Sequence, residues 1–246
     1  MTSGLPRDVQ LVTFDCWNTL LCEEDWHLAH ALRVEELRGA AHEVGVEVSH
    51  DEAGRAFDVA WARHMQLWRE QVATGAEEVA RWALGALGLS EPHPALEHLV
   101  GHFQEASHTS RVVTLDHARE TLASLTAAGV RCALVCDTGL TPGRVVRQHL
   151  ERHGLLEHLA VQAFSDEVGV PKPHASIFRA ALEPLGVEPV KAIHVGDLRR
   201  TDVAGAHALG MATVRITDRH DDEEDGPEGD CVVASHRELA ALLARP

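Results

Sequence analysis

Three short, largely apolar runs in this sequence end on residues able to do chemistry. VQLVTF at 9–14 leads into Asp15, VRCALVC at 130–136 into Asp137 and Thr138, and AIHV at 192–195 into Gly196 and Asp197. Short apolar runs of this kind read as strands buried in a parallel sheet. Ligands of such sheets bind beyond the carboxyl ends of the strands, so Asp15, Cys136-Asp137-Thr138 and Gly196-Asp197 are able to meet at one rim. A carboxylate placed there can attack an electrophile and form a covalent intermediate, splitting one hard step into two. Oxygen ligands of this kind suit a hard divalent cation such as Mg²⁺.

The elements that must position these residues follow from the patterning. Residues 22–108 read as an all-helical insertion. One helix is expected from Glu24 to about Gly45, with Trp26, Ala29, Leu37, Ala40, Ala41 and Val44 largely on one face. A second is expected from Ser49 to about Ala73, where Ser49 and Glu52 have capping-box spacing. Others are expected over Ala76–Leu87 and Pro94–Ala106. Phe57, Trp61, Met65, Trp68 and Val72 recur at helical spacing, as core of the insertion or as an apolar pocket. From Asp116 onward the rhythm alternates between helix and strand, with strands at 130–136, 159–164, 192–195, 212–216 and 231–233 and helices between them, the last at 235–243. Such alternation implies a parallel sheet with helices on both faces. A helix is expected to start at Thr201, and the acidic run DRHDDEEDGPEGD at 218–230 reads as a solvated loop.

Composition bounds the partners. The 246 residues carry 38 acidic and 22 basic side chains, a formal charge of −16. Lys172 and Lys191 are the lysines. So negative a surface disfavours nucleic acid and anionic membranes, both of which are bound through clustered basic residues. A phosphorylated substrate would need local positive charge, which a metal ion supplies economically. No apolar run approaches the roughly 20 residues of a membrane span, and MTSGLPRDVQ lacks the features of a signal peptide, so a cytoplasmic protein is expected. Cysteines 16, 22, 132, 136 and 231 form no CxxC pair and read as thiols. The 18 histidines are scattered without a zinc-ligand spacing and read as surface and helix-face residues.

Four segments together resemble the haloacid dehalogenase superfamily. TFDCWNTLL is similar to its first motif, CALVCDTG to its second, Lys172 within VGVPKPHASIF to its third, and HVGDLRRTDVAGAHALGM to its fourth. They occur in the family's order across residues 9 to about 234. The resemblance implies an α/β fold, a Rossmann-like parallel sheet core (1–21 and 109–246) with an inserted all-helical cap domain (22–108). It implies a Mg²⁺-dependent phosphatase in which Asp15 forms an aspartyl-phosphate intermediate on a small phosphorylated metabolite, in a monomer or homodimer. Asp15, Asp197 and the backbone carbonyl of Trp17 would hold the metal, and Asp202 would hold metal-bound water or Lys172. Lys172 would counter charge on Asp15 and the transferred group. Cys136 or Thr138 would fill the second-motif role, and backbone N–H groups around Cys16, Trp17, Asp137, Thr138 and Gly139 would receive phosphate oxygens.

The sequence departs from the family pattern at three places. Phosphatases of the superfamily usually carry a second Asp, a general acid and base, where this chain has Trp17. Loss of a positioned acid/base typically costs roughly 10²- to 10⁴-fold in rate. Either Asp137, Asp25 or a cap histidine such as His27 supplies the proton, or the leaving group departs without one. Cys136 replaces a Ser or Thr with a weaker hydrogen-bond donor. Asn18 replaces a Gly and is among the residues that tolerate positive φ. Trp17 also resembles dehalogenases and phosphonoacetaldehyde hydrolase. Asp197 and Asp202 argue against the former, and the absence of lysine from the insertion argues against the latter. A binding or regulatory protein on the same scaffold is a further alternative. Blander roles also remain open, Asp202 as a helix N-cap and Lys172 as an exposed loop residue between two prolines.

Overall fold

The structure, a computed structural model, describes residues 5–6, 8–89 and 93–244. The ends of the expected core segments, 1–4 and 245–246, lie outside the described residues, as does residue 7. In chain order the elements are β1 (Leu11–Phe14), β2 (Leu21–Glu23), α1 (Trp26–Glu43), α2 (His50–Arg69), α3 (Ala76–Ala86), α4 (Leu96–Glu105), β3 (Val112–Thr114), α5 (Ala118–Ala127), β4 (Arg131–Cys136), α6 (Gly143–Arg152), β5 (Leu159–Phe164), α7 (Ser165–Val168), α8 (Ala175–Leu182), β6 (Ala192–Gly196), α9 (Ala204–Leu209), β7 (Ala212–Ile216), β8 (Cys231–Val233) and α10 (His236–Leu243). Compact packing divides the chain into an α/β unit, residues 1–22, 113–137 and 147–246, and a helical unit, residues 23–112 with 138–146.

The α/β unit is built on a parallel six-stranded sheet of order β5-β4-β1-β6-β7-β8. All four residues of β1 are buried, as its uninterrupted LVTF run requires of a strand with neighbours on both sides. Leu11 pairs with Arg131 of β4 and with Ala192 of β6, so β1 lies at the centre. Chain order steps away from β1 in both directions here, the topological switch at which such sheets place their ligands. Leu11, Ala133, Val135, Ile177, Phe178, Ala181 and Ala206 form the core on the face covered by α8 and α9. Gly205 of α9 makes that closeness possible, since a Cβ there would lie 2.5 Å from the Phe178 ring and 2.9 Å from Pro173 Cα.

The helical unit buries Val34, Leu37, Phe57, Val79, Leu84, Leu99 and Phe103 at its centre. The capping box that opens α2 is formed, with Ser49 N–H donating to Glu52 Oε2 at 2.9 Å and Glu52 N–H to Ser49 Oγ at 3.3 Å. The aromatic stripe of α2 enters the core only at Phe57, whose ring lies 5.5 Å from that of Phe103. The buried stripe is Ala53, Ala56, Phe57, Ala60 and His64. Its small side chains let α2 pack closely, while Trp61, at 38% exposure, rides on the flank of that stripe.

Two local features depart from the expected elements. The stretches where the chain passes between the units are extended, and β2 and β3 pair as a two-stranded sheet. The expected helix at Thr201 begins earlier, with a π-helical turn at Arg199–Val203 ahead of α9. Leu198 O accepts there from both Asp202 N–H, at 3.0 Å, and Val203 N–H, at 3.2 Å. No helix among the described residues is long and apolar enough to cross a membrane.

Candidate active site

Asp15 follows the last residue of β1, and its N–H donates to Val195 O of β6 at 2.8 Å, which fixes the backbone at the strand tip. Asp197 follows β6, and Asp202 lies in the π turn beyond it. Ligand atoms of Asp15, Asp197 and Asp202 all lie within 4.8 Å of one another, and all three residues are buried. Lys172 Nζ, on a residue only 2% exposed, sits 2.5 Å from Asp15 Oδ1 and 2.7 Å from Asp202 Oδ1. The exposed-loop alternative for Lys172 is therefore not what the fold gives. Its backbone N–H donates to Asp137 Oδ1 at 2.8 Å, which links the end of β4 to this loop.

The wide π turn brings Asp202 back toward the strand, where its Oδ2 accepts from Leu198 N–H at 3.0 Å. Asp202 thus serves the first turn and holds Lys172 at once. Gly196 is essential to this approach, because a Cβ there would lie 2.3 Å from Asp202 Cγ. Asn18 has φ 59°, the left-handed backbone expected of it.

Burial sets the charge states. It pushes Asp15 up to about 7, with Asp202 adding to the rise and Lys172 opposing it. Burial pushes Asp197 up to about 9, helped by repulsion from Asp15 and Asp202. Burial acts on Asp202 in the same sense, but Lys172 and His194 outweigh it and hold that carboxyl well below the usual range. Burial works against the Lys172 charge, yet Asp15, Asp202 and Asp137 hold it well above the ordinary lysine value. Three buried carboxyl groups thus share one buried ammonium group. Such a donor set, all oxygen and with carboxyl groups that repel one another enough to retain protons, fits a hard divalent cation held by Asp15 and Asp197 in place of those protons.

The remaining predicted residues divide. Cys16 and Cys136 are buried and adjoin one another. The hydrogen bond to Cys16, together with burial, holds the Cys136 thiol well above its ordinary value, and its Sγ lies 3.4 Å from Asp137 O. The Trp17 ring is half-buried and edge-on to His149, with centroids 6.4 Å apart. Thr138 and Gly139 group with the helical unit. Gly139 lies against α2, where a Cβ would come 3.0 Å from His64 Nε2.

Sequence reasoning missed four residues here. Thr13 and His194 are register partners on β1 and β6. His194 Nδ1 is 2.8 Å from Thr13 Oγ1, and its Nε2 is 3.0 Å from Asp202 Oδ1. Burial lowers the His194 pKa, and the ring bridges Thr13 and Asp202, while the Thr13 hydroxyl also donates to Ile193 O at 3.3 Å. Polar residues inside two otherwise apolar strands were the available signal. His220 and Asp222, from the acidic loop, complete the set: His220 Nδ1 lies 2.9 Å from Asp197 Oδ2, and Asp222 Oδ2 accepts from Arg199 N–H at 2.7 Å. Nothing in their local sequence marks them.

Comparison with known proteins gives a consistent grouping. Residues 9–210 match the family described as haloacid dehalogenase-like hydrolase. The chain is 29% identical over 214 residues to haloacid dehalogenase-like hydrolase domain-containing protein 3 of Bos taurus, covering 82% of this chain and 80% of the relative. It is 33% identical over 179 residues to a phosphoserine phosphatase of Thermus thermophilus, covering 70% and 69%. Among solved structures, the HAD phosphatase from Thermococcus onnurineus shares the fold with a TM-score of 0.67, at 24% identity over 96% of this chain and 98% of that one.

Proposed function

This chain belongs to the haloacid dehalogenase-like hydrolase family and is a hydrolase, and from that premise we propose that it is a Mg²⁺-dependent phosphatase acting on a small phosphorylated metabolite. The observation that carries this reading is the buried trio of Asp15, Asp197 and Asp202 with Lys172 as the one ammonium group among them. A carboxylate that attacks a phosphoryl group must approach like charge, and this pocket concentrates negative charge further. A divalent cation held by Asp15 and Asp197 would supply neutralisation of the nucleophile and the incoming phosphoryl oxygens.

The chain's own groups then account for the two half-reactions. Lys172 engages Asp15 Oδ1 and leaves the other carboxylate oxygen for attack. A bond forms from that oxygen to phosphorus and the bond from phosphorus to the leaving oxygen breaks, giving an acyl phosphate on Asp15. Water then splits this intermediate, releasing inorganic phosphate and the free carboxylate. Asp202, held by His194 and the Leu198 amide, keeps Lys172 in place. The hydrogen bond to Cys16 and burial hold the Cys136 thiol well above its ordinary value, which disfavours the thiolate a nucleophilic role would need.

Trp17 supplies no proton to the leaving group, which points to substrates whose leaving oxygen has a low pKa, such as acyl phosphates, aryl phosphates or anhydrides. The test is a panel of phosphate esters assayed with Mg²⁺ and with chelator. Phosphate release is expected only with Mg²⁺, and Asp15→Asn is expected to lower it roughly 10³-fold or more, as removal of a nucleophile does. Activity that survives both chelation and Asp15→Asn would refute the assignment. Within the panel, kcat/KM should fall steeply as the leaving-group pKa rises. Trp17→Asp should recover alkyl phosphates by at least about 10²-fold, the lower end of what a positioned acid contributes.

A further inference from the structure

The acidic run between β7 and β8 does more than connect them. Most of it is exposed, yet Asp222 is only 3% exposed. Asp222 Oδ1 accepts from Glu224 N–H at 2.9 Å, which closes a turn, and its Oδ2 accepts from the Arg199 amide, two residues after Asp197. Glu228 reaches Arg199 Nη2 at 3.0 Å and Arg215 Nε at 2.6 Å, and Asp221 reaches Arg215 Nη1 at 2.7 Å. Gly226 lies so close to the π turn that a Cβ would stand 2.8 Å from Arg199 Cβ. An acidic segment next to three buried carboxylates should be repelled. Ion pairs to arginines and a backbone amide hold this one down instead, and the result places His220 on Asp197.

We propose that residues 219–228 form a strap in which His220 and Asp222 are positioning residues for Asp197. The half-exposed His220 ring, with Nδ1 2.9 Å from Asp197 Oδ2, restrains the rotation of that carboxyl group and would leave its other oxygen for a cation. Asp222 fixes the backbone just beyond. The inference rests on the cation reading above and extends it to residues outside the four motifs. Partners of this kind, hydrogen-bonded to a metal-binding carboxylate, typically contribute 10- to 100-fold in metal affinity.

The test is Mg²⁺ titration by calorimetry, with amide hydrogen exchange of residues 197–203 in the metal-free protein. His220 is half-exposed, so its variants are expected to retain the fold, checked by an unchanged melting temperature without Mg²⁺. His220→Ala is expected to weaken Mg²⁺ binding about 10- to 100-fold. His220→Asn, which keeps an N–H donor, is expected to restore part of that loss, and Asp225→Ala to match the wild type. Asp222→Ala is expected to speed exchange at 198–203 as well as weaken binding. Equal Mg²⁺ affinity in wild type, His220→Ala and Asp222→Ala would overturn the strap while leaving the cation reading intact. A wild type that binds no Mg²⁺ would overturn the cation reading itself, and with it the role given to His220.

Discussion

Lys172 is the residue on which the charge balance of the pocket turns, since one ammonium group serves both Asp15 and Asp202. Removing one partner of a buried ion pair costs about 3–5 kcal/mol. Lys172→Met should therefore unfold at markedly lower urea, and should recover partly in acid, where the stranded carboxylates take up protons. A denaturation midpoint equal to wild type at neutral pH would refute this. The wild type carries its own pH signature. Asp15 and Asp197 have folded pKa values raised to about 7 and about 9, above their ordinary 3.8. The native state then holds protons that the unfolded chain releases, so the stability contributed by these two groups falls as pH rises from about 4 through those values. Asp202, whose folded pKa is depressed, has the opposite sign: its contribution is present above about 3.8 and is lost in stronger acid. With chelator present, the wild-type midpoint should drop more between about pH 5.5 and pH 8.5 than that of Asp197→Asn. Identical pH dependence in the two proteins would contradict this assignment of charge.

The π turn and the strand before it act as one element. β6 ends in Gly196 because Asp202 occupies the space where a side chain would begin. Gly196→Ala should cost on the order of 1–3 kcal/mol from overpacking, seen as a lower melting temperature. It should also blunt the rise in melting temperature on adding Mg²⁺, because the displaced carboxylate is the one that holds Lys172. An alanine variant with unchanged melting and Mg²⁺ response would show that the turn yields more easily than its contacts imply. The expected helix start at Thr201 missed this turn because helix periodicity in the sequence carries no mark of one inserted residue. The extra residue is selected by what Asp202 meets, Leu198 N–H, Lys172 and His194, and Lys172 comes from a separate stretch of chain.

At the scale of the whole molecule, a charge of −16 surrounds a site proposed to take anionic substrates. Repulsion between the protein and a phosphate ester weakens as salt shortens the Debye length, which is about 10 Å at 0.1 M. At saturating Mg²⁺, kcat/KM should rise with ionic strength, the reverse of what a basic, steering surface would give. A falling slope would mean that the cation and Lys172 dominate the field that the substrate meets.

The sequence by itself determined the family, the alternation that builds a parallel sheet and the run of helices after β1, and it singled out Asp15, Lys172, Asp197 and Asp202 as candidates. Each of these is written locally, in apolar runs, in turn residues, or in a short motif next to a strand end. Tertiary structure alone decided that Thr13 and His194 lie opposite one another and support Asp202, and that the small residues of α2 rather than its tryptophans meet the core. It also decided that an acidic loop folds down to touch Asp197. Those outcomes depend on strand register, on which residues of a helix face its neighbours, and on contacts between stretches far apart in the chain. None of these is encoded in the spacing of residues along one segment.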